Sequence, residues 1–253
     1  MDLLDPALRV LAGLAEVLVP RAARGAVAPP AGPSRLRQQL GLGPERVALM
    51  YAGNMGIKQG LEVLPLLARE FASDSRIHFV FCGDGAYHAQ LVGMVRGVAN
   101  VTMLPLQPFD RLNDLLNAAD IHLLPQRPDA ADLVMPSKLT GMLASGRPVI
   151  ATAAAGTQVA LALGSCGIAV QPLDRPALFA AVRTLVDDPE MRHALGFAAR
   201  AYAVEHLGRE RVLERFESEL LAAVARCRST GHNRESWFAH GTVGSEARAG
   251  IRL

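Results

Sequence analysis

The chain has 253 residues; 50% are hydrophobic, 26 are Lys or Arg and 24 are Asp or Glu, which gives a formal net charge of +2. This length suffices for one large domain or two modest ones with a sizeable core. The basic residues are spread along the chain, so the composition does not favour a nucleic-acid partner. The three cysteines and seven histidines lack metal-ligand spacing, which excludes a recognisable zinc or haem motif and predicts buried free thiols in a reducing compartment.

The opening stretch predicts an amphipathic helix over residues 3–19. Its leucines from Leu4 to Leu18 recur near helical spacing and form an apolar stripe that needs a partner surface. Asp2 and Asp5 stand where a signal peptide carries positive charge, and the stretch is too short and too charged to span a membrane. We therefore expect this helix to dock on protein, by self-association or on a partner, with at most peripheral membrane contact.

The next stretch, residues 20–46, is rich in Pro, Gly, Ala and Arg, which is typical of a linker, and ends in a short helix around 36–40. A domain is expected to follow over residues 47–227. Its six apolar runs are VALMYAG, IHFVFCG, NVTMLP, DIHLLP, RPVIAT and GIAV. They alternate with helical segments, which predicts parallel strands covered by helices on both faces. The predicted fold class is α/β, a single Rossmann-like doubly wound parallel sheet with flanking C-terminal helices.

The helices between and after these strands are predicted from their periodicity. They are expected to begin near Leu61, Tyr87, Asp110, Ser137, Gln158 and Pro176. Two further helices follow at 189–205 and 209–226, and Asp188 with Pro189 forms a typical start for the first. The tail from residue 228 to 253 has few large apolar residues and no periodicity, so it is predicted to be disordered.

The most informative turn follows the first strand. Gly53, Gly56 and Gly60 permit a tight turn and a close approach of the backbone to a ligand. In open parallel sheets, ligands bind beyond the carboxyl ends of the strands, where the next helix offers free N–H groups and its positive dipole end. Lys58 adds a cation, so the turn suits a phosphate or diphosphate. The spacing fits neither the Rossmann fingerprint nor the P-loop, and a plain strand-to-helix turn is the alternative.

Two later turns have the same position after a strand. Gly83 and Gly85 flank Asp84 after the second strand. After the fourth strand, a polar loop leads through Pro136 to a helix with Lys138 in its first turn. A cation there opposes the helix dipole, so helix propensity does not explain this lysine, whereas an anion bound at the helix N-terminus would.

Four motifs, taken in order, carry a resemblance to a known family. They are residues 51–60 (YAGNMGIKQG), 81–85 (FCGDG), 115–120 (LLNAAD) and 136–150 (PSKLTGMLASGRPVI). Together they resemble the donor-binding, C-terminal half of retaining GT-B glycosyltransferases of the glycosyltransferase 4 family, and the last motif is most similar to colanic acid and exopolysaccharide biosynthesis enzymes. The resemblance covers about residues 34 to 226. It implies a nucleotide-sugar donor, transfer to a glycan or lipid-linked acceptor with retention, and neither a cofactor nor an obligatory metal.

The resemblance also implies roles for individual residues. Lys58 and Lys138 take the catalytic places, where cations stabilise the departing diphosphate. The donor-binding places fall to Gly53, Asn54, Gly56, Gly83, Asp84, Leu106, Asp132 and Ser137. Asn54 stands where many relatives have an arginine, and Leu106 would border the base. Asp132, with Asp129, would contact the sugar, although a solvated loop is the alternative reading of these acids.

Two departures from the family pattern shape the functional expectation. Many members carry a pair of glutamates around the last motif, where this chain has Leu133 and Gly141. The acceptor domain of the family has no counterpart in residues 1–46, which we expect to be its remnant. We therefore expect a cytoplasmic donor-binding domain, with the inner membrane face as an option, that is incomplete without a separate acceptor domain. The alternatives are a non-catalytic nucleotide-sugar binding or scaffold module and a sugar-nucleotide 2-epimerase.

Overall fold

The computed structural model describes residues 27–29, 32, 34–128 and 136–229. These residues fall into two compact units, one that ends at Arg211 and one that begins at Val212. Three groups of sequence predictions lie outside the described residues. They are the helix over 3–19, the loop residues Asp129, Asp132 and Leu133, and the tail from residue 230.

Six parallel strands form one sheet, and each lies within one of the predicted apolar runs. They are β1 Val47–Ala52, β2 Ile77–Cys82, β3 Val101–Leu104, β4 Ile121–Leu124, β5 Val149–Thr152 and β6 Gly167–Val170. Their order across the sheet is β3-β2-β1-β4-β5-β6. The inner four strands are fully buried, whereas β3 and β6 pair on one side alone and are partly exposed. The predicted doubly wound α/β fold is confirmed.

The described helices begin close to their predicted starts. They are α1 Arg35–Gln39, α2 Val63–Glu70, α3 His88–Val95, α4 Leu112–Asn117, α5 Ser137–Ala144, α6 Gln158–Leu163, α7 Arg175–Asp187, α8 Pro189–His206 and α9 Arg209–Ser229. Asp188 caps α8 as predicted, because its carboxylate accepts the N–H of Met191 at 2.8 Å. Within the described ranges, none of these helices is both long and apolar enough to cross a membrane.

The core has one layer on each face of the sheet. Leu49 and Tyr51 of β1 point into the layer beneath α2, α3 and α7, while Ala48 and Met50 point into the layer beneath α4, α5, α6 and α8. The helices that follow β1 and β2 therefore cover one face, and those that follow β4 and β5 cover the other. Because β1 and β4 are neighbours, the sheet has its topological crossover between them.

The described residues ahead of β1 pack against α4. Val27 is only 2% exposed, and the side-chain amide of Asn117 donates to the carbonyl of Ala28 at 2.9 Å. The hydroxyl of Ser34 donates to Oδ1 of Asp114 at 2.8 Å. These contacts hold the segment on the helices of the sheet, and the domain boundary near residue 46 stays a prediction.

Arg37 of α1 ties this segment to the sheet, and its loss is expected to destabilise the fold. Its Nη1 lies 2.6 Å from Oδ2 of Asp120, which also accepts the N–H of Ala48 at 2.8 Å. The two side chains are 14% and 25% exposed, so the pair is shielded from solvent. Arg37→Met should lower the free energy of unfolding by roughly 2 to 3 kcal/mol, measured by urea denaturation. Arg35→Met, on an exposed side chain of the same helix, should change it by less than about 0.5 kcal/mol; equal losses would contradict this role.

Candidate functional site

The predicted motifs meet at the carboxyl edge of the sheet. The turn at residues 53–60 follows β1, the turn at 83–85 follows β2, and α5 begins after the loop that follows β4. The chain leaves β1 and β4 towards opposite faces of the sheet. Diverging connections of this kind open a crevice above the strands, where α/β proteins bind their ligands.

The first two turns are in backbone contact. The N–H of Gly53 donates to the carbonyl of Cys82 at 2.9 Å, and the N–H of Met55 donates to the carbonyl of Asp84 at 2.8 Å. Gly83 has a φ of +147°, and a Cβ on it would lie 1.9 Å from the carbonyl oxygen of Gly53. Chain packing alone therefore requires glycine at this position, independently of any ligand.

Lys138 extends from the first turn of α5 to the turn after β1. Its Nζ donates to the hydroxyl of Tyr51 at 3.0 Å and to Oε1 of Gln59 at 2.6 Å. The same Nζ lies 4.7 Å from the centre of the Tyr51 ring and 3.8 Å from the position that a Cβ on Gly53 would occupy. The Tyr51 hydroxyl in turn donates to the carbonyl of Asn54 at 2.5 Å. The ammonium group is thus fixed at the crevice by a chain of hydrogen bonds.

The described hydrogen-bond partners of the Lys138 ammonium group are uncharged. In the part of the chain that the structure describes, no carboxylate forms an ion pair with it. Burial lowers the pKa of Lys138 to about 8, and burial also raises the pKa of Tyr51, so the phenol stays neutral. A partly buried cation without a counter-charge is unfavourable until an anion joins it. The geometry therefore favours an anion beside Nζ.

Lys58 lies on the neighbouring 3₁₀ turn, Ile57–Gln59. Its side chain is exposed and makes no hydrogen bond or ion pair with the other described residues. The next residue along this turn is the glutamine that holds Lys138. Lys58 and Lys138 are also the only two lysines in the sequence. One predicted cation therefore lies on this short turn, and the other is hydrogen-bonded to it.

The other residues predicted around the first turn and α5 are found on the same edge. Gly56 precedes the 3₁₀ turn and Gly60 ends it at a φ of +67°. Asn54 is exposed, and its Nδ2 lies 3.3 Å from the position of a Cβ on Gly56. Ser137 is the exposed first residue of α5, directly before Lys138. These side chains and turns lie at the carboxyl edge of the sheet, and their roles towards a donor stay predictions.

Three further described positions of the family pattern have no hydrogen bond to either lysine. Asp84 is exposed, and its carboxylate accepts the N–H of Gly85 at 2.7 Å within its own turn. Leu106 is 66% exposed in the loop after β3, and no described contact joins it to either lysine. Gly141 is buried on α5, one turn after the exposed start of the helix. Asp132 lies outside the described residues.

Tyr51 and Gln59 are the site residues that the sequence analysis missed. Tyr51 lies in a fully buried strand, and a continuous apolar run gives no sign of which side chain directs its polar end to the strand's exit. The available signal was chemical, because a buried tyrosine hydroxyl needs a hydrogen-bond partner. Gln59 directly follows Lys58 in the sequence, and its uncharged side chain gave no sign of a role in the site.

A family profile and a curated relative match this chain. The profile described as "Glycosyl transferases group 1" matches residues 46–188, more than half of the chain. The chain is 36% identical over 190 residues to WcaI of Escherichia coli K12, a protein named as a colanic acid biosynthesis glycosyl transferase. This match covers 73% of the chain and 46% of WcaI. The chain therefore spans less than half the length of this relative.

Solved structures share the fold. Sucrose-phosphate synthase from Thermosynechococcus elongatus matches with a TM-score of 0.63 at 22% identity, over 78% of this chain and 50% of the other. HepE of Anabaena, solved in complex with UDP and glucose, matches with a TM-score of 0.61 at 17% identity, over 75% and 52% of the two chains. At these identities the likeness shows the fold alone. The profile match, which covers all six strands of the sheet, shows that the chain belongs to the group 1 glycosyl transferases, as the resemblance of its motifs predicted.

Proposed function

We propose that this chain is the donor-binding part of a glycosyltransferase that moves a sugar from a nucleotide-sugar to a glycan or lipid-linked acceptor in polysaccharide biosynthesis. The observation that carries the proposal is Lys138, a partly buried cation held by neutral groups at the crossover of the sheet. A donor diphosphate beside its Nζ would supply the missing counter-charge. WcaI, named for colanic acid biosynthesis, and HepE, solved with UDP and glucose, support a nucleotide-sugar as the ligand.

The geometry also suits the chemistry of a departing diphosphate. Negative charge grows on the diphosphate as its bond to the anomeric carbon breaks, and preorganised cations at that point lower the barrier. Tyr51 and Gln59 would orient the ammonium of Lys138, and Lys58 would approach from its exposed turn. The N–H groups at the start of α5 add the positive end of a helix dipole. These groups offset the diphosphate charge, so the proposal includes neither a metal nor another cofactor.

The acceptor side is proposed to come from outside this chain. The chain spans 46% of WcaI. Holding an acceptor hydroxyl against the anomeric carbon accounts for roughly 7 to 11 kcal/mol of a transfer barrier. We propose that a separate acceptor domain forms the second wall of the cleft. The free, buried thiols of Cys82 and Cys166 support a reducing compartment and therefore a cytoplasmic location.

The first test is a calorimetric titration of the purified chain with UDP-, GDP-, ADP- and dTDP-sugars. We expect one of these compounds to bind, and its free nucleoside to bind at least about 10-fold more weakly, because the nucleoside lacks the charged diphosphate. EDTA should leave the affinity unchanged. A nucleoside that binds as tightly as its diphosphate sugar would contradict the assignment of the crevice to a diphosphate.

A transfer assay then distinguishes an enzyme from a binding module. The chain alone is expected to bind donor and to hydrolyse it slowly at most, since the described residues form no second wall that would exclude water or position an acceptor. Adding a matching acceptor domain should produce glycosylated acceptor. Donor binding without transfer in both assays would instead favour a non-catalytic nucleotide-sugar binding module.

A further inference from the structure

A pocket lies at the amino edge of the sheet, opposite the crevice, at the amino ends of β4 and β5. It encloses about 510 Å³ between the turns that precede these strands and one face of α8. The charged or titratable side chains on its described wall are Asp120, Arg147, Arg192, His193 and Arg200. The carboxylate of Asp120 is already paired with Arg37 at 2.6 Å. The pocket therefore carries a clear excess of positive charge.

A close approach of α8 to the turn before β5 builds this pocket. A Cβ on Gly196 would lie 2.4 Å from the carbonyl oxygen of Gly146, so glycine is needed for the helix to come this near. Arg192 lies one turn before Gly196 along α8, and Arg200 lies one turn after it. Residues four apart share a helix face, so both arginines flank the turn that carries Arg147.

The two helix arginines are fixed without losing their charge. Nη1 of Arg192 donates to two backbone carbonyls at the end of α7, at 2.5 and 2.8 Å. Nη1 of Arg200 donates to the carbonyls of Val27 at 3.0 Å and Ala144 at 2.8 Å. These acceptors are neutral, and within the described ranges neither arginine forms an ion pair. The guanidinium groups are thus held in place and available to an anion.

Arg147 adds a donor that the described protein does not satisfy. Its Nε is buried and has no hydrogen-bond acceptor among the described residues. Buried donors almost always have a partner. Burial, with a smaller effect from the Arg147 charge, lowers the pKa of the nearby His122 to about 3, so this imidazole is neutral and does not compete as a cation. Arg147 therefore requires an acceptor from elsewhere.

We propose that this pocket binds a phosphate group, carried either by a soluble phosphorylated small molecule or by a phospholipid headgroup. Phosphate oxygens match the planar fork of a guanidinium group, and three such groups line the pocket. Phe197, which is 73% exposed beside them, offers an apolar surface to the rest of the ligand. Because Lys138 lies at the other edge of the sheet, this proposal is independent of the donor site.

The test uses the whole chain carrying Lys138→Met, which removes the buried cation at the other edge, with pyrophosphate as the probe. We expect pyrophosphate to shift the backbone amide NMR signals of Gly146, Arg147 and Gly196. In this background, Arg147→Gln should weaken binding by about 10-fold or more. Arg96→Gln, which removes an exposed charge elsewhere, should weaken it by less than about 2-fold.

Vesicles of phosphatidylcholine with and without phosphatidylglycerol identify the source of the phosphate. Binding to the anionic vesicles that is lost in Arg147→Gln would assign a headgroup, whereas binding of pyrophosphate alone would assign a soluble ligand. If Arg147→Gln does not fold, Arg192→Gln replaces it and should weaken binding similarly. Unchanged binding in both arginine variants, or binding of neither probe to the Lys138→Met chain, would overturn the proposal.

Discussion

Gly83→Ala is expected to destabilise the fold severely. A Cβ at this position would lie 1.9 Å from the carbonyl oxygen of Gly53, and the backbone has a φ of +147° that L side chains rarely adopt. The neighbouring atom belongs to the backbone of another tight turn, so it cannot rotate away as a side chain could. We expect a loss of at least about 4 kcal/mol, against a typical total stability of about 5 to 15 kcal/mol. Circular dichroism melts and the yield of soluble protein measure it.

Gly97→Ala is the matched control for this substitution. Gly97 also has a positive φ, +78°, but a Cβ there would meet no atom within 4 Å. Its replacement should therefore cost only the backbone strain, about 1 to 2 kcal/mol. Similar losses in both variants would show that backbone conformation, and not the contact between the two turns, makes position 83 intolerant.

Lys138→Met is expected to weaken the binding of UDP or GDP by roughly 10- to 100-fold, because a charge-assisted hydrogen bond to a phosphate contributes about 1.5 to 3 kcal/mol. The same variant should be at least as stable as the parent, since methionine removes a poorly compensated, partly buried charge. Calorimetry and thermal melts measure the two effects. Lys58→Met, at an exposed position, should weaken binding less and leave stability unchanged. A Lys138→Met chain with parental affinity would exclude the diphosphate from this position.

The affinity of the parent chain should also depend on pH. The pKa of Lys138 in the free chain is about 8, and a bound diphosphate would raise it, because a nearby anion favours the protonated form. The affinity for the diphosphate is then highest below about pH 8. Above that pH it weakens by up to about tenfold for each pH unit, because the free chain loses this proton. Lys138→Met should lack this dependence. Identical pH profiles for parent and variant would contradict the assignment.

The strands were predictable because both faces of this sheet are covered. Full burial turns β1, β2, β4 and β5 into continuous apolar runs bounded by turn residues, a pattern that composition alone reveals. The edge strands were found by the same pattern, but their partial exposure was not, since exposure depends on which strand ends the sheet. The order of the strands comes from pairing between distant segments, and local periodicity does not encode it.

The site was predicted in part, for a reason visible at Lys138. A cation at a helix N-terminus conflicts with local propensity, and such conflicts mark functional positions. Its partners were not predictable, because Tyr51 and Gln59 lie 87 and 79 residues away along the chain. Gly53 and Gly83 were assigned to a ligand; the structure adds that their backbones contact each other, and their role towards a donor stays a prediction. A sequence does not distinguish a glycine needed by the backbone from one needed by a ligand.

The choice of lysine at position 138 separates two kinds of positive charge in this molecule. Apart from Lys58 and the seven histidines, every other basic residue is an arginine, and a guanidinium keeps its proton throughout the physiological pH range. Burial lowers the pKa of Lys138 to about 8, so its amine stays protonated near neutral pH and releases its proton at a moderately higher pH, where a bound anion would favour the charged form again. The carboxyl edge of the sheet thus holds an adjustable charge, while the arginines at the amino edge hold a permanent one.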